Sequence, residues 1–132
     1  MKHEVINVTK TIAPSLICMD LCDLKREVEA LEALGCRMLH VDVIDGIFSP
    51  DMPLGIETIR RLKKQSGMIF DTHLMAVHNE PYIDLLIDSG VERICFHTEF
   101  EARPSILLKK IRAAGIKAGI AISPETTVHS VE

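Results

Sequence analysis

The sequence predicts an α/β protein built on a parallel sheet, and three observations carry that prediction. Helical stretches alternate with short apolar or β-branched runs along the whole chain. Each helical stretch ends in glycine, at Gly35, Gly67, Gly90 and Gly115, with spacings of 32, 23 and 25 residues. The strand runs are mostly apolar, as expected of a parallel sheet covered on both faces. Regular alternation of this kind implies parallel strands joined by right-handed crossovers.

The elements follow in order. TIAPSLI at 11–17 reads as a first strand. In LKREVEALEALG at 24–35, Leu24, Val28, Leu31 and Leu34 recur at three- and four-residue steps, with charged residues between them. Asp23 is the N-cap candidate for this helix. CRMLHVDVI at 36–44 is the second strand. The helix IETIRRLKKQSG at 56–67 leads into the third, MIFDTHLM at 68–75. PYIDLLIDSG at 81–90 leads into VERICFHTE at 91–99, and ILLKKIRAAG at 106–115 into IKAGIAIS at 116–123. Pro104 suits the first turn of the last of these helices. Glycine just past a helix takes the left-handed backbone without a Cβ clash. SPETTVHSVE at the end reads as the start of a fifth helix.

Five strands and four complete helices fit either an open doubly wound sheet or a (β/α) barrel. No G-x-G-x-x-G follows any strand, so the dinucleotide form of the open sheet lacks its phosphate loop. A complete (β/α)8 barrel needs about 200–250 residues. Residues 1–132 therefore read as one domain and, in the barrel case, as a partial barrel.

Composition narrows the function. The chain has 132 residues, a net charge of −4, 47% apolar and 26% charged residues, the profile of one ordinary globular domain. No apolar run approaches the roughly 18 residues of a membrane span. Met1 to Lys10 lacks the apolar stretch of a secretory signal, and a mildly acidic chain offers little to a phosphate backbone. Membrane and nucleic acid are disfavoured as partners, and a cytoplasmic setting is expected. Cys18, Cys22, Cys36 and Cys95 form no C-x-x-C pair and are expected to be reduced, structural thiols.

Polar residues inside strands point to chemistry, because burying one unpaired costs about 1–3 kcal/mol. His40 and Asp42 are two apart, so they leave the same face of their strand. Asp71, His73 and Met75 share a face of the next, and His97 and Glu99 of the one after. The C-terminal ends of parallel strands are where active sites form. Two imidazoles and a carboxylate converging there suit a divalent cation such as Zn²⁺, Fe²⁺, Mn²⁺ or Co²⁺. Ser15, in the first strand, can point its hydroxyl into the same mouth. Asp45 to Asp51 is rich in turn formers and marks a loop on that side. His3, His78 and His129 read as surface residues, and Cys18, Met19, Met52 and Met75 as apolar filler near the strand ends.

IAPSL at 12–16, HVDVIDGIFSPD at 40–51, DTHLM at 71–75, FHTE at 96–99 and GIAISPET at 119–126 together resemble the ribulose-phosphate 3-epimerases. The resemblance runs from about Thr11 to the end of the chain. It implies the (β/α)8 barrel, here roughly the N-terminal 60% of a family-length chain. It also implies a small-molecule sugar phosphate as substrate and C3 epimerisation, D-ribulose 5-phosphate to D-xylulose 5-phosphate, through an enediolate. By resemblance His40, Asp42 and His73 are ligands of one divalent metal ion, and Asp42 is the acid/base. Ser15 and His73 contact substrate, and Met75 belongs to a thioether lid over the enediolate. CMDL at 18–21 is also similar to the related allulose 6-phosphate epimerases.

Some positions depart from the family pattern. Ile44 stands where a methionine is usual, and Asp51 and Ser123 where asparagine is usual. The family's second catalytic aspartate, on a seventh strand, and its phosphate loops have no counterpart in these residues. A catalytically incomplete, metal-binding or assembly module is thus the alternative reading. An open barrel edge predicts homo-oligomers or association with a complementary part. The related decarboxylase pattern D-x-K-x-x-D is not met, because Ile44 occupies its lysine position.

Overall fold

The structure, a computed structural model, describes residues 10–131. His3 and most of the segment considered as a leader lie outside them. Four strands, β1 (Met38–Ile44), β2 (Ile69–Met75), β3 (Arg93–His97) and β4 (Lys117–Ala121), form one parallel sheet in the order β1-β2-β3-β4. Helix α1 (Leu24–Ala33) precedes β1, and α2 (Ile56–Gln65), α3 (Asn79–Ser89) and α4 (Pro104–Ala113) make the crossovers. A doubly wound sheet reverses its strand order at a switch point. This one runs in sequence order without reversal, as the wall of a (β/α) barrel does. The fold is α/β of the partial-barrel kind.

Two elements differ from expectation. TIAPSLI is not a strand: only Ser15 bridges to β1, opposite His40, with the His40 N–H donating to Pro14 O at 2.8 Å. Pro14 has no N–H for a ladder, and the chain turns at once into a short 3₁₀ helix, Leu16–Cys18. The sheet therefore has four strands rather than five. The final segment forms a 3₁₀ helix, Val128–Val131, with no buried residue, where an α-helix was expected to begin.

Side-chain alternation decides which face is core. In β2 burial alternates strictly: Phe70, Thr72 and Leu74 are buried, while Ile69, Asp71, His73 and Met75 are half-exposed. Leu39, Val41 and Val43 of β1 and Ile94 and Phe96 of β3 join Phe70 and Leu74 in the cluster with the helices. Ile59 and Leu62 of α2, Ile83 and Leu86 of α3, and Leu107 and Ile111 of α4 complete it. The described sheet is thus covered by helices on one face only, and its other face carries the polar strand residues. The expectation of two covered faces does not hold here.

Local signals behaved unevenly. Gly35, Gly90 and Gly115 take positive φ of 84°, 76° and 78°. Gly67 does not; its N–H donates to Glu32 Oε1 at 2.8 Å, tying the end of α2 to α1. Pro104 does sit in the first turn of α4. Asp23 flanks α1 but makes no side-chain cap bond, pairing instead with Arg26 at 3.0 Å. All four cysteines are free.

Candidate active site and cation site

Parallel register assembles the site. Asp42 of β1 lies beside His73 of β2, and His73 beside Cys95 of β3. Side chains two apart share a face, so His40, Asp42 and His73 converge on the open side of the sheet. Asp42 Oδ1 stands 3.3 Å from His40 Nε2 and 3.3 Å from His73 Nδ1. Ser15 Oγ donates to the other carboxylate oxygen, Oδ2, at 3.0 Å. Asp42 is 9% exposed, whereas the two imidazoles are half-exposed and reachable from solvent.

A second layer of partners orients these rings. His40 Nδ1 faces Asp71 Oδ2 at 3.3 Å. His73 Nε2 meets His97 Nε2 at 3.0 Å, and His97 Nδ1 meets Glu99 Oε2 at 3.2 Å. Glu99 Oε1 accepts from the Ser123 N–H and from Thr126 Oγ1 at 2.8 Å. Burial opposes its charge, but these bonds outweigh it and hold its carboxyl down to about 2. The pKa of His73 is lowered as well: burial first, then the neighbouring His97, push it down against the pull of Asp42. A neutral imidazole is the form that can coordinate a cation.

The loop after β1 is built by one side chain. Asp45 Oδ1 accepts from the backbone N–H of Ile47 at 2.8 Å and of Phe48 at 2.7 Å, and Oδ2 from Val77 N–H at 2.8 Å. Burial disfavours its charge, yet the three N–H bonds keep its pKa below the ordinary range. The loop so held lays Phe48 against His97, ring centroids 4.7 Å apart. Cys95 contributes no thiolate: burial, with the charge of Asp71, raises its pKa.

His40, Asp42 and His73 offer one donor atom each, all within 4.8 Å of one another, and form a group that could hold a metal ion. Ligands 2.0–2.1 Å from a tetrahedral zinc ion stand about 3.3 Å apart, which is the spacing from Asp42 Oδ1 to each imidazole. Second-layer acceptors such as Asp71 are what ligating histidines normally carry. The donor set fits a borderline divalent cation.

A family model described as the ribulose-phosphate 3 epimerase family matches residues 11–132. The chain belongs to the ribulose-phosphate 3-epimerase family. It is 37% identical over 121 residues to a ribulose-phosphate 3-epimerase of Rhodobacter capsulatus, covering 92% of this chain and 53% of that protein. A Treponema pallidum ribulose-phosphate 3-epimerase is 36% identical over 121 residues, covering 92% and 56%. One from Schizosaccharomyces pombe is 34% identical over 127 residues, covering 94% and 56%. The chain spans about half the length of the curated relatives it matches. A similar rice protein, 32% identical, is named a cytoplasmic isoform. Among the described residues, no helix is long and apolar enough to cross a membrane.

Against the epimerase pattern, the structure brings Ser15, His40, Asp42 and His73 together. Met75 lies on the same face of β2 as His73, at its end, and Ile44 is its β1 neighbour in register. Met52, in the loop after β1, is 65% exposed. Sequence reasoning gave no role to Asp71, His97, Glu99 or Asp45. Asp71 and the His97–Glu99 pair were visible, but β3 ends at His97, and the bonds from Ser123 and Thr126 to Glu99 were not legible.

Proposed function

We propose that this chain supplies one half of the catalytic apparatus of a ribulose-phosphate 3-epimerase. The substrate would be a ketose phosphate, D-ribulose 5-phosphate, converted to D-xylulose 5-phosphate by inversion at C3. The observation that carries the reading is the His40–Asp42–His73 cluster at the sheet face of a chain belonging to this family.

Asp42 acts as the acid/base. Its carboxylate takes the C3 proton, the C–H electron pair moves toward the C2 carbonyl, and a cis-enediolate forms. Ser15 donates to Asp42 Oδ2, which fixes the plane of the carboxylate and so the aim of the base. His40 and His73, with Asp42, would hold one divalent ion (Zn, Fe, Mn or Co), which when bound supplies Lewis-acid stabilisation of the developing oxygen charge. His73 also faces the sugar, and Met75 gives a soft apolar wall that keeps water from the carbanionic carbon. Return of a proton to the opposite face of C3 completes the inversion. The resemblance assigns that step to an aspartate outside these 132 residues. The cytoplasm is the setting the reading implies, and the free edge of β4 is where a complementary part or a second copy would pair.

The test is proton NMR of D-ribulose 5-phosphate in D2O with the Zn²⁺- or Fe²⁺-loaded chain. The reading expects loss of the C3 proton signal, abolished by Asp42→Asn. Persistence of that signal with a folded wild-type chain, or exchange surviving in Asp42→Asn, contradicts it.

A further inference from the structure

The contact between two imidazoles, His73 Nε2 and His97 Nε2 at 3.0 Å, needs one nitrogen to donate and the other to accept. We propose that Glu99, acting through His97, is a positioning residue that fixes the proton of His73 on Nε2 and leaves the Nδ1 lone pair facing the cation position. The inference rests on the cation site proposed above and extends it two residues outward, to His97 at the end of β3 and Glu99 just after it.

The Glu99 carboxylate can only accept. Its Oε1 is committed to the Ser123 N–H and the Thr126 hydroxyl, and its Oε2 faces His97 Nδ1 at 3.2 Å. His97 Nδ1 therefore carries the proton. In a neutral His97, Nε2 is then the acceptor, so His73 Nε2 must be the donor. That leaves His73 Nδ1 unprotonated, 3.3 Å from Asp42 Oδ1. The competing tautomer would aim a proton from Nδ1 at Asp42, across that longer contact, and would set two lone pairs against each other between the rings. His97 is held for the task. It is 7% exposed, the Phe48 ring packs on it, and the buried Asn79 amide donates to its carbonyl at 3.2 Å. His40 has the simpler arrangement, with Asp71 as direct acceptor at its far nitrogen.

The arrangement gives an ordering that shape alone does not. In Glu99→Gln the Ser123 N–H, which can only donate, keeps the amide oxygen on its side. The amide NH2 then faces His97 Nδ1 and makes it an acceptor. The relay reverses: His97 Nε2 donates to His73 Nε2, and the His73 proton moves to Nδ1, where it blocks coordination. Glu99→Ala removes the bias without reversing it. Cation affinity should fall in the order wild type, Glu99→Ala, Glu99→Gln, with about a 10- to 100-fold loss for the last, the scale of outer-shell effects on metal sites. A purely structural role would place the near-isosteric Gln closest to wild type.

The experiment combines imidazole ¹⁵N NMR of the metal-free 132-residue chain with Co²⁺ titration of the wild type and both variants. Circular dichroism serves as the folding control. Expected are an unprotonated Nδ1 and a protonated Nε2 on His73 in the wild type, the opposite in Glu99→Gln, and the affinity order above. A wild-type His73 protonated at Nδ1, or a Glu99→Gln chain that binds Co²⁺ better than Glu99→Ala, overturns the proposal. Should Glu99→Gln not fold, the wild-type tautomer decides. A wild type that binds no Co²⁺ refutes the cation site, while the metal-free spectrum still decides the relay.

Discussion

Ser15 Oγ donates to Asp42 Oδ2 at 3.0 Å across 27 positions of sequence, which leaves Asp42 Oδ1 to face His40 and His73. The two carboxylate oxygens thus have separate duties, one anchored and one presented. Removing the anchor in Ser15→Ala should slow C3 proton exchange roughly ten- to a hundredfold, matching a hydrogen bond to a charged group of about 1.5–3 kcal/mol. Exchange rates measured in D2O with circular dichroism as control check this. An unchanged rate would reduce Ser15 to a backbone bridge.

The two faces of β2 predict opposite responses from adjacent residues. Leu74 is fully buried against the helices, while His73 is half-exposed on the other side. Leu74→Ala should cost about 2–5 kcal/mol in urea unfolding, the range for large-to-small core changes. His73→Ala should cost far less stability but abolish tight Zn²⁺ binding. Equal destabilisation by both would mean that the polar face is core as well.

Much of this was legible in the sequence, for reasons that can be named. Helix order followed from three- and four-residue apolar steps, and the glycines at 35, 90 and 115 marked real left-handed ends. The H-x-D of β1 and the D-x-H of β2 share a face by a period of two, so the grouping of His40, Asp42 and His73 follows from spacing. What could not be read depended on partners far along the chain. His97 and Glu99 were visible as a pair, but the bonds from Ser123 and Thr126 to Glu99 span 24 and 27 positions. Asp45 looked like one turn former among several, because its bond to Val77 joins two loops 32 positions apart. The first strand failed for a local reason: Pro14 cannot donate, and one bridge at Ser15 suffices to dock the segment.

Acid should loosen the rim of the site. The Glu99 carboxyl lies at about 2 in the folded protein against an ordinary 4.5. A depressed carboxylate stabilises the fold above its ordinary value and ceases to do so as pH falls toward the folded one. Stability should therefore decline as pH drops from 4.5 toward 2, and less steeply in Glu99→Gln. Asp45, also depressed, acts in the same direction. Urea midpoints across this window check it. A Glu99→Gln profile parallel to the wild type would show that the charge of Glu99 contributes nothing to the fold.

The most direct measurement of the central claim is a crystal structure of the chain grown with Co²⁺ or Zn²⁺, read by anomalous scattering. The account predicts one strong peak between His40 Nε2, Asp42 Oδ1 and His73 Nδ1, about 2.0–2.2 Å from each. A cation bound elsewhere, or none bound while the three side chains keep their present positions, would contradict it.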